Sequence, residues 1–71
     1  MTNVRLLRSK INENGFKIAF IAKKCGLTYQ GFLPKLNGVR EFNQSEIAVL
    51  KTLLHLTSEE SEKIFFYTES R

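Results

Sequence analysis

The chain has 71 residues, of which 42% are hydrophobic and 25% are charged, and it carries a net charge of +4. This length fits one domain with a small core, taken here as residues 1–71, and the composition is too apolar for a disordered chain. No apolar run approaches the ~18 residues of a membrane span, and Arg5, Arg8 and Lys10 interrupt any N-terminal signal sequence. The single cysteine, Cys25, excludes a disulfide framework and a thiolate metal cluster. These features predict a cytoplasmic protein that does not enter a membrane.

The charge is distributed unevenly along the chain. Residues 1–40 hold eight Lys/Arg and one acid, a net charge of +7, whereas residues 41–71 hold three Lys/Arg and six acids, a net charge of −3. A basic segment attracts the phosphates of nucleic acid. The alternative interpretation is a solvated basic face without a partner.

Hydrophobic spacing predicts five short helices around one small core, and no segment alternates as a strand does. The first helix covers about residues 3–14 and stops at Asn14-Gly15, two residues that tolerate left-handed backbone. The second helix covers about residues 17–25. The side chains predicted to be buried in these two helices are Val4, Leu6, Leu7, Ile11, Ile18, Ile21, Ala22 and Cys25.

A tight turn at residues 25–27 joins the second helix to the third. Gly26 is suited to the positive φ that such a turn needs, and Thr28 is placed to cap the next helix. The third helix covers residues 29–36 and ends at Asn37-Gly38. Its predicted buried side chains are Phe32 and Leu36. This is the local pattern of a helix-turn-helix, whose second helix often enters the DNA major groove.

Capping boxes predict where the last two helices begin. Asn43 with Glu46 starts the fourth helix, which ends near His55, and Thr57 with Glu60 starts the fifth. The predicted buried side chains of these helices are Ile47, Val49, Leu50, Leu53, Leu54, Ile64 and Phe65.

The fifth helix reaches about Tyr67 and ends in the run Ile64-Phe65-Phe66-Tyr67. One helix face does not bury four consecutive large apolar side chains, which leaves Phe66 or Tyr67 exposed. Exposed aromatics often mark a protein partner surface, and packing back onto the first helix is the alternative.

Read together, these features resemble the λ-repressor-like family of DNA-binding domains, which includes phage repressors and Cro proteins. The resemblance covers about residues 5–66, and its endings Lys35-Leu36-Asn37-Gly38 and Ile64-Phe65-Phe66 look most like short phage and prophage regulators of Gram-positive bacteria. It depends also on residues 45–54 and on Ile21, Ala22, Gly26, Leu27, Thr28, Phe32, Leu56 and Thr57.

The resemblance implies that the third helix reads DNA bases. The residues expected at base edges are Tyr29, Gln30, Leu33 and Pro34. Gln30 is suited to adenine, because its amide pairs with N6 and N7, and Tyr29 offers a hydroxyl for phosphate or a ring for a thymine methyl. The expected phosphate contacts are Lys17, Lys35, Asn37, Gly38 and Arg40.

Two functions remain open at this point. The first is a phage-type transcriptional regulator that binds operator DNA as a homodimer. The second is a modulator or antirepressor that uses the same fold to bind a co-encoded phage repressor. Gly31 and Pro34 favour the second, because they weaken a DNA-reading helix and leave it apolar. The sequence shows no catalytic residues, no metal ligands and no need for a cofactor, so we expect no enzyme, and Cys25 is interpreted as a small buried hydrophobe.

Overall fold

The computed structural model describes residues 1–66, which form five α-helices and no strand. The prediction of an all-helical fold is confirmed. The helices are α1 (Val4–Asn14), α2 (Ile18–Lys24), α3 (Tyr29–Leu36), α4 (Gln44–Leu53) and α5 (Ser58–Phe65). The predicted first and last residues of the helices differ from the observed ones by at most two residues where they can be compared. The predicted end of α5 at Tyr67 lies outside the described residues. No helix within residues 1–66 is both long and apolar enough to span a bilayer.

The core is one cluster to which every helix contributes. α1 packs against α3 and α5, and α2 packs against α3. The ring of Phe42 lies between the rings of Phe32 and Phe65, with centroids 5.8 and 5.6 Å away. Phe42 belongs to the loop before α4 and was not among the predicted core residues. The fully or nearly fully buried apolar side chains are Leu7, Ile11, Ile21, Ala22, Phe32, Leu36, Phe42, Leu50, Leu54, Leu56, Ile64 and Phe65.

The predicted apolar faces divide into a buried centre and a half-buried margin. Ten of the predicted positions are buried. The half-buried margin forms because successive residues are rotated by about 100° around a helix axis, which places the flanking side chains at the edge of the core. The positions predicted as buried but found half-buried are Val4, Leu6, Ile18, Cys25, Ile47, Val49 and Leu53.

Both predicted capping boxes are present. Asn43 accepts a hydrogen bond from the backbone N–H of Glu46 at 2.8 Å, and the Glu46 carboxylate accepts from the N–H of Asn43 at 3.0 Å. Thr57 and Glu60 make the same exchange at 3.0 and 2.9 Å. These bonds satisfy amides that a helix start otherwise leaves without partners.

Charged and backbone contacts hold α5 against α1. The ammonium group of Lys10 donates to the carboxylate of Glu60 at 2.7 Å. This hydrogen bond raises the pKa of Lys10 above its ordinary value and lowers the pKa of Glu60 below its own. The N–H of Asn3 also donates to the carbonyl of Ile64 at 2.6 Å. The N-terminal segment is thereby tied to the end of α5.

Helices α2, α3 and α4 end in the same way. In each, the residue after the cap takes a left-handed conformation, and the amide of the next residue donates to a carbonyl five positions earlier. The bonds are Leu27 to Ala22 (2.9 Å), Val39 to Pro34 (2.8 Å) and Leu56 to Lys51 (2.9 Å). The left-handed residues are Gly26, Gly38 and His55, with φ of 76°, 81° and 55°.

His55 is the only residue other than glycine with positive φ within residues 1–66, and its side chain is exposed. We expect His55→Gly to raise the free energy of unfolding by about 0.5–1 kcal/mol, because a left-handed L-residue costs about 1–2 kcal/mol and the added chain entropy offsets part of the gain. Urea denaturation followed by circular dichroism measures the change. His55→Ala is the control, since it keeps the unfavourable φ and should bring no gain; equal stability of both variants would contradict the prediction.

Candidate nucleic-acid interface

Two buried side chains determine which face of α3 is presented to solvent. Phe32 and Leu36 are wholly buried, and they hold one side of the helix against the core. Tyr29 and Gln30, one turn earlier, therefore project outward: Tyr29 is 48% exposed and Gln30 is also exposed. The first turn of α3 thus offers a phenol and a carboxamide side by side, as the sequence predicts.

The turn before α3 fixes where the helix begins and so where these two side chains lie. Gly26 supplies the left-handed residue, and the hydroxyl of Thr28 accepts a hydrogen bond from the N–H of Gly31 at 3.0 Å. A Cβ at Gly31 would lie 3.1 Å from that hydroxyl oxygen. The glycine inside α3, which costs about 1 kcal/mol of helix propensity relative to alanine, therefore leaves room for the cap.

The next two predicted base-reading positions lie less far out. Leu33 and Pro34 are half-buried, and Leu33 packs against the core cluster. Leu33 and Pro34, which the resemblance places at base edges, are therefore less exposed than expected. Pro34 does not shorten α3, which continues to Leu36. The carbonyl of Pro34 accepts hydrogen bonds from the N–H groups of Val39 and Arg40 at 2.8 and 3.2 Å.

A groove with a volume of about 520 Å³ lies beside the start of α3. Its lining includes Tyr29, Arg8 from α1, and Lys17, which is the residue just before α2. A guanidinium and an ammonium group are thus brought next to the exposed turn of α3. Sequence reasoning selected Lys17 and missed Arg8, because the placement of Arg8 depends on how α1 packs against α3 and not on spacing within α1.

Arg8 also connects this groove to the other end of α3. Its Nη2 donates to the side-chain oxygen of Asn37 at 2.7 Å. Asn37, Gly38 and Arg40 are all exposed. A Cβ at Gly38 would lie 3.1 Å from a methyl group of Val4. The end of α3 therefore requires glycine both for its backbone conformation and for its approach to α1.

Lys35 is placed differently from the phosphate contact expected of it. Its ammonium group donates to both oxygens of Glu46, at 2.6 and 2.8 Å, and the side chains of Lys35 and Glu46 are only 16% and 6% exposed. A cation held this way is not available to DNA without separating the pair. We therefore leave Lys35 out of the candidate interface and regard it as the residue that fixes the end of α3 to the start of α4.

Most of the remaining cations of the basic half are not paired with acids. Of its eight Lys/Arg, only Lys10 and Lys35 take part in the ion pairs found within residues 1–66. The other six are Arg5, Arg8, Lys17, Lys23, Lys24 and Arg40, and all six are exposed. The excess of positive charge along the first 40 residues therefore remains available at the surface.

Cys25 is half-buried at the end of α2. Burial raises the pKa of its thiol to about 11, with a further contribution from the nearby Glu46 carboxylate. A thiol with this pKa is protonated at neutral pH and is a poor nucleophile. This supports the interpretation of Cys25 as a small apolar side chain. Within residues 1–66, no three His, Cys, Asp or Glu side chains are grouped so as to hold a metal ion.

The chain matches no protein-family model, no curated protein and no solved structure. Geometry and charge are therefore the observations from which its function is inferred.

The Lys35–Glu46 pair gives a test of how α3 is held. We expect Glu46→Gln to lower the free energy of unfolding by about 3 kcal/mol, because it leaves a mostly buried ammonium group without its counter-charge. The double variant Lys35→Met with Glu46→Gln should recover a large part of that loss. Urea denaturation measures both changes.

Glu13→Gln is the matched control. It removes a carboxylate that is 60% exposed and leaves Lys10 its closer partner Glu60, so we expect a loss below about 1 kcal/mol. A Glu46→Gln variant no less stable than Glu13→Gln would show that the buried pair does not hold α3 in place.

Proposed function

We propose that the chain is a λ-repressor-like domain that binds operator DNA through a helix-turn-helix formed by α2 and α3, and that it regulates transcription in the cytoplasm of a bacterial host. The observation that carries this proposal is the exposed first turn of α3. Tyr29 and Gln30 stand there beside the groove that holds Arg8 and Lys17. Side chains that can hydrogen-bond to base edges, together with unpaired cations at the same helix start, are the combination that DNA binding requires.

In the proposed complex, α3 lies in the major groove with its first turn toward the bases. The carboxamide of Gln30 pairs with N6 and N7 of an adenine, and Tyr29 contacts a phosphate or a thymine methyl group. Arg8 and Lys17 bind phosphates on one side of the groove. The side chain of Arg40 binds a phosphate on the other side. The amides of Asn37 and Gly38, which were expected to bind phosphate, already donate to the carbonyls of Leu33 and Lys35 and are left out of the proposed contacts.

Most of the affinity in this proposal is electrostatic. The six unpaired cations of the basic half attract any duplex, and release of DNA counterions makes the binding sensitive to salt. Sequence discrimination depends on far fewer groups, chiefly Gln30, since Leu33 and Pro34 are half-buried. We therefore expect a modest ratio of specific to non-specific affinity.

A second candidate function is supported by a separate observation. Apolar groups are exposed at both ends of α3: Tyr29 in its first turn is 48% exposed, and Val39 just beyond its last residue is 77% exposed. A surface of this kind also suits a protein groove. An antirepressor that binds a co-encoded phage repressor would use the same face without DNA.

The phosphate contacts predict the salt dependence of binding. We expect Arg8→Gln and Lys17→Gln each to reduce the slope of log affinity against log salt by ~0.9, because each removes one phosphate contact. Fluorescence anisotropy with a duplex from the DNA flanking the gene, titrated at several KCl concentrations, measures the slope. Lys63→Gln on α5 is the control and should leave the slope unchanged.

The outcomes separate the two functions. If the wild type binds no duplex at low salt but binds a co-encoded repressor, the antirepressor function replaces the proposed one. If Lys63→Gln changes the slope as much as Arg8→Gln, the cations near α3 are not the phosphate contacts.

Base reading by Gln30 predicts a different signature. We expect Gln30→Ala to weaken binding to a specific operator by about 1–3 kcal/mol and to leave non-specific binding nearly unchanged. Competition titrations with operator and random duplexes measure both affinities. Gln44→Ala, an exposed glutamine on α4, is the control. An equal loss on both duplexes would make Gln30 a positioning residue without a role in base reading.

A further inference from the structure

The groove of about 520 Å³ beside the start of α3 has an apolar floor that phosphate contacts alone leave unexplained. Ile11 in this floor is 3% exposed, and Phe16 and Ile18 are half-buried and pack against the core cluster. Small-molecule sites have volumes of about 300–1,000 Å³ and combine an apolar lining with a few polar groups. The groove therefore has the size and the floor of a ligand site as well as cations.

Two aromatic side chains take part in the lining. The ring of Phe16 is held by stacking on the ring of Phe20, with centroids 5.2 Å apart and planes inclined by 27°. The phenol of Tyr29 also borders the groove. Aromatic rings pack against such side chains in offset or edge-to-face arrangements. The lining thus suits a ligand with an aromatic body better than a sugar or a simple inorganic anion.

The charged groups of the groove all have one sign. Arg8 and Lys17 are exposed and take part in none of the ion pairs found within residues 1–66. No Asp or Glu of that part of the chain is among the lining residues. A cleft lined by one sign of charge concentrates ions of the opposite sign. The bond from Arg8 to Asn37 leaves the other N–H groups of the guanidinium free to bind a carboxylate, whose geometry matches a planar fork.

The groove between α4 and α5 differs in this respect. Its volume is about 370 Å³, and its lining includes both a base, Lys51, and an acid, Glu62. Phe66 borders it and is 55% exposed, as expected of a residue predicted to form a partner surface. Tyr67, the other residue of that prediction, lies outside the described residues. A lining of mixed charge does not favour an anion, so of these two grooves only the one beside α3 does.

We propose that the groove beside α3 binds a small aromatic carboxylate, which displaces DNA. The carboxylate pairs with the guanidinium of Arg8, with further attraction from the ammonium group of Lys17, and the ring lies on Phe16 and Ile18. The same two cations bind phosphates in the proposed complex, so ligand and duplex exclude each other. The ligand site does not depend on DNA binding, whereas the displacement of DNA rests on the proposed function.

Nuclear magnetic resonance of the whole chain tests the site, with 1-naphthoate as the probe. We expect the amide signals of residues 16–19 and of Tyr29 to shift, with a dissociation constant of about 1 mM or tighter. The neutral amide of the same ring system, 1-naphthamide, should bind at least about fivefold more weakly, because it has no charge to pair with the guanidinium. Acetate, which has the charge without the ring, should also bind at least about fivefold more weakly.

Two variants and a control locate the probe in the groove. Arg8→Gln should weaken naphthoate binding at least about fivefold. Ala19→Leu fills an exposed position of the lining and should weaken naphthoate and naphthamide alike; leucine is nearly as good a helix former as alanine, so the fold is kept, as circular dichroism will check. Lys23→Gln removes an exposed cation of α2 outside the groove and should leave naphthoate binding unchanged.

Fluorescence anisotropy with a labelled duplex measures the displacement of DNA. At ten times its dissociation constant, naphthoate should weaken duplex binding about tenfold relative to the same concentration of sodium acetate, which controls for the effect of ionic strength. The proposal is overturned if naphthoate shifts no amide signal of the groove, if naphthamide or acetate binds as tightly, if Lys23→Gln acts as Arg8→Gln does, or if naphthoate and acetate weaken duplex binding equally. A chain that binds naphthoate but no duplex supports the ligand site and overturns the proposed function instead.

Discussion

The burial of Phe32 is the interaction on which the rest of the structure depends. Its ring is wholly buried on α3 and reaches α5 through Phe42, so one row of three rings joins the middle of the chain to its end. Removing a buried phenylalanine typically costs about 3–5 kcal/mol, a large part of the ~5–15 kcal/mol that stabilises a whole domain. A domain of this size has few other side chains with which to compensate. The direction in which Tyr29 and Gln30 face follows from the same burial.

Glu46 adds a polar constraint to this apolar one. A single carboxylate caps the start of α4 and binds the ammonium group of Lys35 at the end of α3. The pair lies beside the core, where removing one partner of an ion pair is costly although the intact pair contributes little net free energy. Its contribution is therefore to orientation: it sets how α3 lies against α4 more than it adds to stability.

Local chemistry made much of the fold predictable. The capping boxes at Asn43 and Thr57 and the turn at Gly26 are encoded within four or five residues, and all three were located correctly. The C-terminal end of α4 was placed two residues late, because the left-handed residue there is His55 and no glycine marks the position. Phe42 was missed as a core residue because it stands in a loop, outside any helical period.

The candidate site was less predictable, because its geometry is tertiary. Lys35 and Glu46 are eleven residues apart, and no local pattern shows that their side chains meet. The family resemblance therefore assigned Lys35 to phosphate. Arg8 was left unassigned for the converse reason, since its neighbours Lys17 and Tyr29 are brought to it only by packing of α1. Sequence identified the helix that carries the candidate site, and tertiary packing determined which cations surround it.

The hydrogen bond from Arg8 to Asn37 has a consequence for the entropy of ligand binding. A free arginine samples many rotamers, worth about 2 kcal/mol of side-chain entropy, and loses most of them when it binds a ligand. The bond at 2.7 Å already restricts the guanidinium of Arg8 before any ligand arrives. Part of the ordering cost is thus met during folding. An anion bound by the remaining N–H groups of Arg8 therefore meets a side chain that is already preorganised.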